Sequence, residues 1–343
     1  MRRDTLTCSL YIATVPFVVA GAVATRVHPT AVAPAHPAPS GALYVANANN
    51  TVTVYAATAA GNAAPLRTLR GPARFGVDAS GLAVDAVGNL YVAHGLSPYG
   101  NRVDVYAGGA QGSAAPARII TGKRTRLDTP FTVAIDARGA LYVANEGTGQ
   151  TGSITVYAPG AHGDSAPLRR IAGPHSMVQT PQALAVDARG TLYVADYGDE
   201  SRVLVFAPTA RGDARPIRVI AGDRTGLNNP SGLAIDATGY LYTLSSGTQR
   251  AAVFAPGARG NVAPVRTIAG PRTRLAGADA LILVAGNVVV ANDPRAQNIK
   301  DAHATDYIGV FAPTARGNSA PVRTIGGPAT RLYRPSALAA GGA

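Results

Sequence analysis

Glutamate and histidine are scarce in this 343-residue chain, and their positions narrow the chemistry it could perform. Glu146 and Glu200 are its only glutamates, which restricts any scheme that pairs a general acid with a general base. Asp301, His303 and Asp306 lie close enough in sequence to share a metal ion, yet no second histidine stands at ligand spacing. Asp85, Asp136, Asp187 and Asp236 recur at one position, each before Ala-x-Gly. An aspartate there accepts the backbone N–H groups of a tight turn, so this ladder reads as turn chemistry rather than an acidic ring. Glycine followed by a small polar residue also recurs, at Gly61-Asn62, Gly112-Ser113, Gly163-Asp164, Gly212-Asp213, Gly260-Asn261 and Gly317-Asn318. Each copy offers at most one oxygen where a calcium loop needs several, so glycine's access to left-handed backbone is the better reading. The chain has no Gly-x-Ser-x-Gly, no His-Glu-x-x-His and no phosphate loop.

These residues are carried by a unit written six times with a period of about 50 residues, the spacing of arrays and propellers. Its clearest lines are Pro-x-Arg (Arg67, Arg118, Arg169, Arg218, Arg266, Arg323) and a strand-closing aromatic residue (Tyr55, Tyr106, Tyr157, Phe206, Phe254, Phe311). Within residues 183–220 the turn signals separate four runs: Ala183–Asp187, Thr191–Ala195, Arg202–Ala207 and Pro216–Ile220. Glycine breaks together with β-branched and aromatic content make helix improbable throughout. Four antiparallel strands per period, arranged radially, predict an all-β propeller. The arginine ladder falls on the fourth, outermost strand, where a charge would discourage edge-to-edge pairing. Residues 42–46 match a second strand and residues 335–340 the start of a first one. The C-terminal strand is therefore expected to pair into the N-terminal blade and close a ring of six.

Lysine is nearly absent (Lys123 and Lys300 only), so the net charge of +12 is an arginine excess that suits an anionic partner or reflects coding bias equally well. Residues 1–24 read as a signal peptide: Arg2 and Arg3, an apolar run from Cys8, and a small-x-small site at Ala22-Val23-Ala24. Cys8 is the only cysteine, which leaves the mature chain without disulfide or thiol chemistry. Residues 25–40 form a Pro/Ala-rich linker, and 41–343 the propeller. The expected location is secreted, periplasmic or cell-envelope, with no stable membrane insertion after cleavage. Basic charge scattered over several loops does not form a nucleic-acid stripe, so no nucleic-acid partner is expected.

The runs Pro-x-Gly-Leu-Ala-Val-Asp-x-x-Gly-x-Leu-Tyr-Val-Ala and Val-x-Val-Tyr/Phe, best seen at 81–92, 132–143, 183–194 and 230–242, resemble NHL-repeat proteins and related six-bladed propellers. The resemblance covers residues 41–343; it is specific for fold and not for function. It implies that the loops after the second strands and before the first strands share one face, usually the binding face. His94, Tyr99, Asn145, Glu146, Asp196, Tyr197, Asn292, Asp293 and His303 are the candidate ligand-binding residues of that face, inside a rim that includes Arg74, Lys123, Arg124, Arg126, Arg224, Arg272, Arg274, Arg331 and Arg334. The long connection Asn292 to Asp306 interrupts the repeat, and such insertions are more often functional than regular loops. The reading is a monomeric, non-catalytic binding module for a protein or an anionic envelope polymer, with no cofactor. The alternative is a metal-dependent lactonase or lyase of this architecture, using Ca²⁺ or Mg²⁺ near His94, Glu146 and Asp196.

Overall fold

The computed structural model describes residues 41–72, 79–95, 100–149, 151–294 and 305–341. The expected signal peptide and linker, and with them Arg74, Tyr99, Asp301 and His303, lie outside the described residues. The chain folds into six sheets of four antiparallel strands, one sheet per repeat. Blades are numbered here by the order of their second strands. The innermost strands are Pro335–Gly341 in blade 1, then Gly81–Val84, Pro130–Ile135, Pro181–Val186, Pro230–Ile235 and Ala278–Val284 in blades 2 to 6. Each packs against the inner strands of both neighbouring blades, and the cycle closes on itself. The structure is a six-bladed β-propeller.

Ring closure follows the split repeat. Pro335–Gly341 pairs with Ala42–Asn47, so blade 1 draws its inner strand from the C-terminal end of the chain and its other three from the N-terminal part. The core lies between blades rather than within them. Ala83, Tyr91, Val103, Val105 and Ile120 of blade 2 form one cluster with Val133, Leu141, Val143 and Tyr157 of blade 3. The aromatic line fills these layers, since Tyr55, Tyr106, Tyr157, Phe206, Phe254 and Phe311 are all fully buried. Two of its tyrosines reach out of their own blades: Tyr55 donates its hydroxyl to Thr330 O and Tyr157 to Thr125 O, each in the connection leading into that blade.

The ladders resolve into three devices. Asp136 Oδ1 accepts the N–H groups of Arg138 and Ala140, both at 2.9 Å, and Asp85, Asp187 and Asp236 do the same in their turns, as expected. The Gly-polar steps clasp adjacent blades. Gly112 at φ 59° donates to Thr68 O and accepts from Arg70, adding a short parallel bridge to the outer strand of the preceding blade. The polar residue after the glycine then accepts the N–H groups of the 3₁₀ turn that leaves the preceding blade: Asp164 from Arg124, Asp213 from His175 and Ser176, Asn261 from Arg224, Asn318 from Arg272, Asn62 from Ala329.

The arginine ladder stands on the outermost strands, but edge protection is not its main work. The clasp already covers part of that edge, and the side chains turn back over the sheet. Arg169 donates to Tyr142 Oη at 3.0 Å and to Ala210 O of the next blade at 2.9 Å, and its guanidinium lies over the Tyr142 ring. Arg118, Arg218 and Arg266 repeat the contact on Tyr91, Tyr193 and Tyr242. The arginines therefore tie the fourth strand to the second strand and to the following blade.

A chain ending at Arg334 lacks the inner strand of blade 1 and is expected to lose its cooperative thermal transition by circular dichroism. Asp136→Ala removes its turn bonds and a long hydrogen bond from Tyr142 Oη, and is expected to cost about 1–2 kcal/mol with cooperativity intact. A sharp transition in the shortened chain would show that ring closure does not hold the blades together.

Candidate functional site

The open centre of the ring is a channel of about 480 Å³ lined by the six inner strands. At the start of four of these strands the register slips by one residue, between Pro130 and Thr132, Pro181 and Ala183, Pro230 and Gly232, and Ala278 and Ala280. The blade 1 strand slips in the same way, between Pro335 and Ala337. The extra residue of each bulge is left without a partner across the strand, and bulges of this kind re-aim a side chain. Phe131, Gln182, Ser231, Asp279 and Ser336 all line the channel, and Ser80 joins them just ahead of the blade 2 strand. Six otherwise similar blades thus present six positions of varied chemistry at the channel mouth. At two points neighbouring inner strands leave no room for a side chain: a Cβ on Gly81 would lie 2.6 Å from Thr132 Cα, and one on Gly232 2.8 Å from Leu281 Cβ.

In four blades the mouth is held from behind by a residue at or next to the end of the second strand. Asn47, Asn145 and Asp196 accept through Oδ1, and Ser245 through Oγ, the backbone N–H of Tyr333, Asp128, Gln179 and Asn228 respectively, each two residues before the proline that opens an inner strand. In alternate blades a second anchor grips the next residue, which is left-handed without being glycine. Asn101 Oδ1 accepts from Thr129 (φ 53°), Ser201 Oγ from Asn229 (φ 51°) and Asp306 Oδ2 from Arg334 (φ 47°). Backbone of this kind is strained, and the side-chain anchors are what sustain it.

The nine candidate residues therefore separate by role. His94, Asn145, Asp196 and Asn292 are buried, and the side chains of the first three are engaged in the scaffold. His94 Nε2 lies 3.3 Å from Asp104 Oδ2, whose other oxygen is 3.2 Å from Arg102 Nε. Asp196 Oδ2 pairs with Arg202 at 3.0 Å. Asn292 donates to Val290 O, and its Oδ1 has no hydrogen-bond partner among the described residues. Glu146 stands at the mouth, where its Oε1 accepts from Gln182 Nε2 at 2.7 Å across the blade 3–blade 4 boundary. Tyr197 is 49% exposed on the same face. Asp293 is 2% exposed and accepts from Arg334 Nε at 2.8 Å. Tyr99 and His303 lie outside the described residues. Among the described residues no three His, Cys, Asp or Glu side chains come together in a way that could hold a metal ion. The rim is basic as expected, with Lys123, Arg124, Arg126, Arg224, Arg272 and Arg331 exposed around it.

Asp279 was not among the sequence candidates, yet it is the one charged residue lining the channel among the described residues. It makes no hydrogen bond or ion pair there. Burial, with the Asp293 carboxylate adding to it and Arg334 opposing, pushes its pKa up to about 6. The only signal for it was the variable residue after proline, or after Ala278, at the head of each first strand.

The chain matches no family model and no curated protein. Among solved structures it resembles a protein of unknown function from Bacteroides caccae at TM-score 0.60 and 11% identity, covering 88% of this chain and 98% of that one. The nidogen/laminin complex aligns at TM-score 0.56 and 18% identity over 87% and 97% of the two chains. The PQQ-bound aldose sugar dehydrogenase of Streptomyces coelicolor aligns at TM-score 0.53 and 16% identity over 79% and 91%. What they share is the fold. A binding assembly and a cofactor enzyme stand side by side among these neighbours, so function must be argued from the site.

The raised pKa of Asp279 makes a stability prediction with a definite sign. Below its ordinary value of 3.8 the folded and unfolded chains both hold the proton, and Asp279→Asn is expected to be neutral. As pH rises towards 6 the unfolded chain ionises first, so the wild type loses stability that the asparagine variant keeps. At pH 8 the variant should be more stable by on the order of 2 kcal/mol. Urea unfolding at about pH 3.5 and pH 8 reads this directly, and an equal effect at both pH values would show that the carboxylate is not desolvated.

Proposed function

We propose that this protein is an exported, NHL-like propeller that acts as a binding module through the loop face around its channel mouth. The observation that carries the reading is the pattern of regularity. Turns, clasps and the arginine–tyrosine contacts repeat around the ring, whereas the residues facing the channel mouth are serine in three blades and Phe131, Gln182 and Asp279 in the others. Architecture requires the former and leaves the latter open. Two tyrosines, Tyr197 and Tyr333, stand 49% and 46% exposed on this face beside the basic rim. Half-exposed tyrosines and arginines are the side chains that most often anchor protein interfaces. The rim's excess of guanidinium suits an acidic protein surface or an anionic polymer of the cell envelope.

Retention of envelope components on the immobilised protein tests the reading. The pair Tyr197→Ala and Tyr333→Ala is expected to reduce retention by about tenfold, while Val87→Ser with Arg189→Ala, on the opposite face, leaves it unchanged. Equal loss from both faces would remove the loop face as the binding surface. The metal-dependent alternative has its own readout: Ca²⁺ or Mg²⁺ is expected to leave the melting temperature unchanged. A rise that disappears in Glu146→Gln or Asp196→Asn would establish that alternative instead.

A further inference from the structure

The mouth of the channel contains two polar groups whose hydrogen-bonding capacity the fold does not use. Asp279, the extra residue of the blade 6 bulge, lines the channel without a hydrogen bond or an ion pair. Arg334, the cation nearest in effect, commits its Nε to Asp293 at 2.8 Å instead. On the adjoining inner strand, Ser231 occupies the equivalent bulge position, and its Oγ is buried with no hydrogen-bond partner. The Asp279 carboxylate is half-buried and open to the cavity with no protein donor, and Ser231 Oγ beside it is a buried polar atom left unsatisfied, where such groups normally have partners; together they leave a place for a donor.

The remaining walls say what that donor is attached to. Blade 3 stands three places from blade 6 in the ring of six, so Phe131 faces the channel from the side opposite Asp279. Two residues further along the inner strands, Leu82, Val133, Leu184, Leu233, Leu281 and Leu338 add an aliphatic ring to the lining. The cavity is thus negative at one point of its mouth and apolar opposite and below. An anion would be repelled by Asp279, and a neutral polar ligand would leave that charge uncompensated in a partly desolvated site. A metal ion would find one carboxylate and one hydroxyl, too few oxygen ligands. The volume of about 480 Å³ falls within the range of small-molecule sites.

We propose that the channel mouth binds a small amphipathic organic cation, with its ammonium or guanidinium group held by Asp279 and Ser231 and its apolar body against Phe131 and the aliphatic ring. This goes beyond the rim-partner reading and rests only on the same face being open. The basic rim does not conflict with it, because exposed charges are screened by salt while the carboxylate would be in direct contact, and Arg334, the rim cation that acts on Asp279, is paired with Asp293.

Calorimetric titration at pH 8 with 2-phenylethylamine tests the inference, with 2-phenylethanol and phenylacetate as neutral and anionic counterparts of similar shape. The amine is expected to bind saturably and at least about tenfold more tightly than either counterpart. Asp279→Asn should weaken amine binding by about tenfold or more, and Ser231→Ala by a smaller factor. Phe131→Ala should weaken the amine but not a short alkylamine. Asp279→Asn is expected to fold at least as well as the wild type, which a thermal melt verifies. Failure of the amine to bind, equal affinity for the alcohol, or undiminished binding by Asp279→Asn would each overturn the proposal. The two readings fail separately: absent amine binding with tyrosine-dependent envelope retention removes the cation site alone, and amine binding without that retention removes the rim partner alone.

Discussion

No blade of this protein can bury both faces of its own sheet. The second and third strands carry apolar residues towards both neighbouring blades, as Tyr91 and Val103 on one side of blade 2 and Leu90, Val92 and Tyr106 on the other illustrate. A four-stranded sheet with two such faces has no core until neighbours cover both, so the stable unit is the closed ring. Closure through Pro335–Gly341 follows from that requirement, because an open array would leave two apolar faces in water. The clasps built on Gly61, Gly112 and their equivalents then set the angle between blades by tying each outer strand to the next connection.

The same requirement decides where the sequence is free to vary. A residue between blades is constrained by volume on both sides, and a residue in a turn is constrained by the backbone bonds it accepts. The bulge residues of the inner strands face neither constraint. Five of the six channel-lining positions are the extra residue in their pairing, and the sixth, Ser80, stands just ahead of its strand. Ser80, Phe131, Gln182, Ser231, Asp279 and Ser336 can therefore differ without disturbing the ring. The anchors behind them cannot, which explains why Asn47, Asn145, Asp196 and Ser245 place a short hydrogen-bond acceptor at or next to the end of a second strand.

Much of this was legible beforehand because repetition amplifies structural signals. Six copies of Pro-x-Arg and of the closing aromatic residue give strand order and blade count, and the half-copies at 42–46 and 335–340 give the closure. The partners of the arginines were not legible, since Tyr142 and Arg169 meet only once the sheet has formed. The site was hidden by the very comparison that revealed the fold. Aligning copies draws attention to positions that agree, and the channel-facing residue is the one that does not. Asn145 and Asp196 stood out as polar residues after an apolar strand, yet that polarity is directed at the backbone of the mouth rather than at its opening.

Net charge misleads here for a related reason. The value of +12 is a sum over the whole chain, in which some arginines have structural work over tyrosine rings or against carbonyl groups and others stand exposed on the rim. A ligand entering the channel responds to the few groups within direct reach in a medium less polar than water, where one unpaired carboxylate outweighs several screened guanidinium groups. The burial that raises the pKa of Asp279 to about 6 penalises its ionised form, and a cation in contact would relieve that penalty. Selectivity at the mouth therefore follows from local desolvation, and it can run opposite in sign to the charge of the whole molecule.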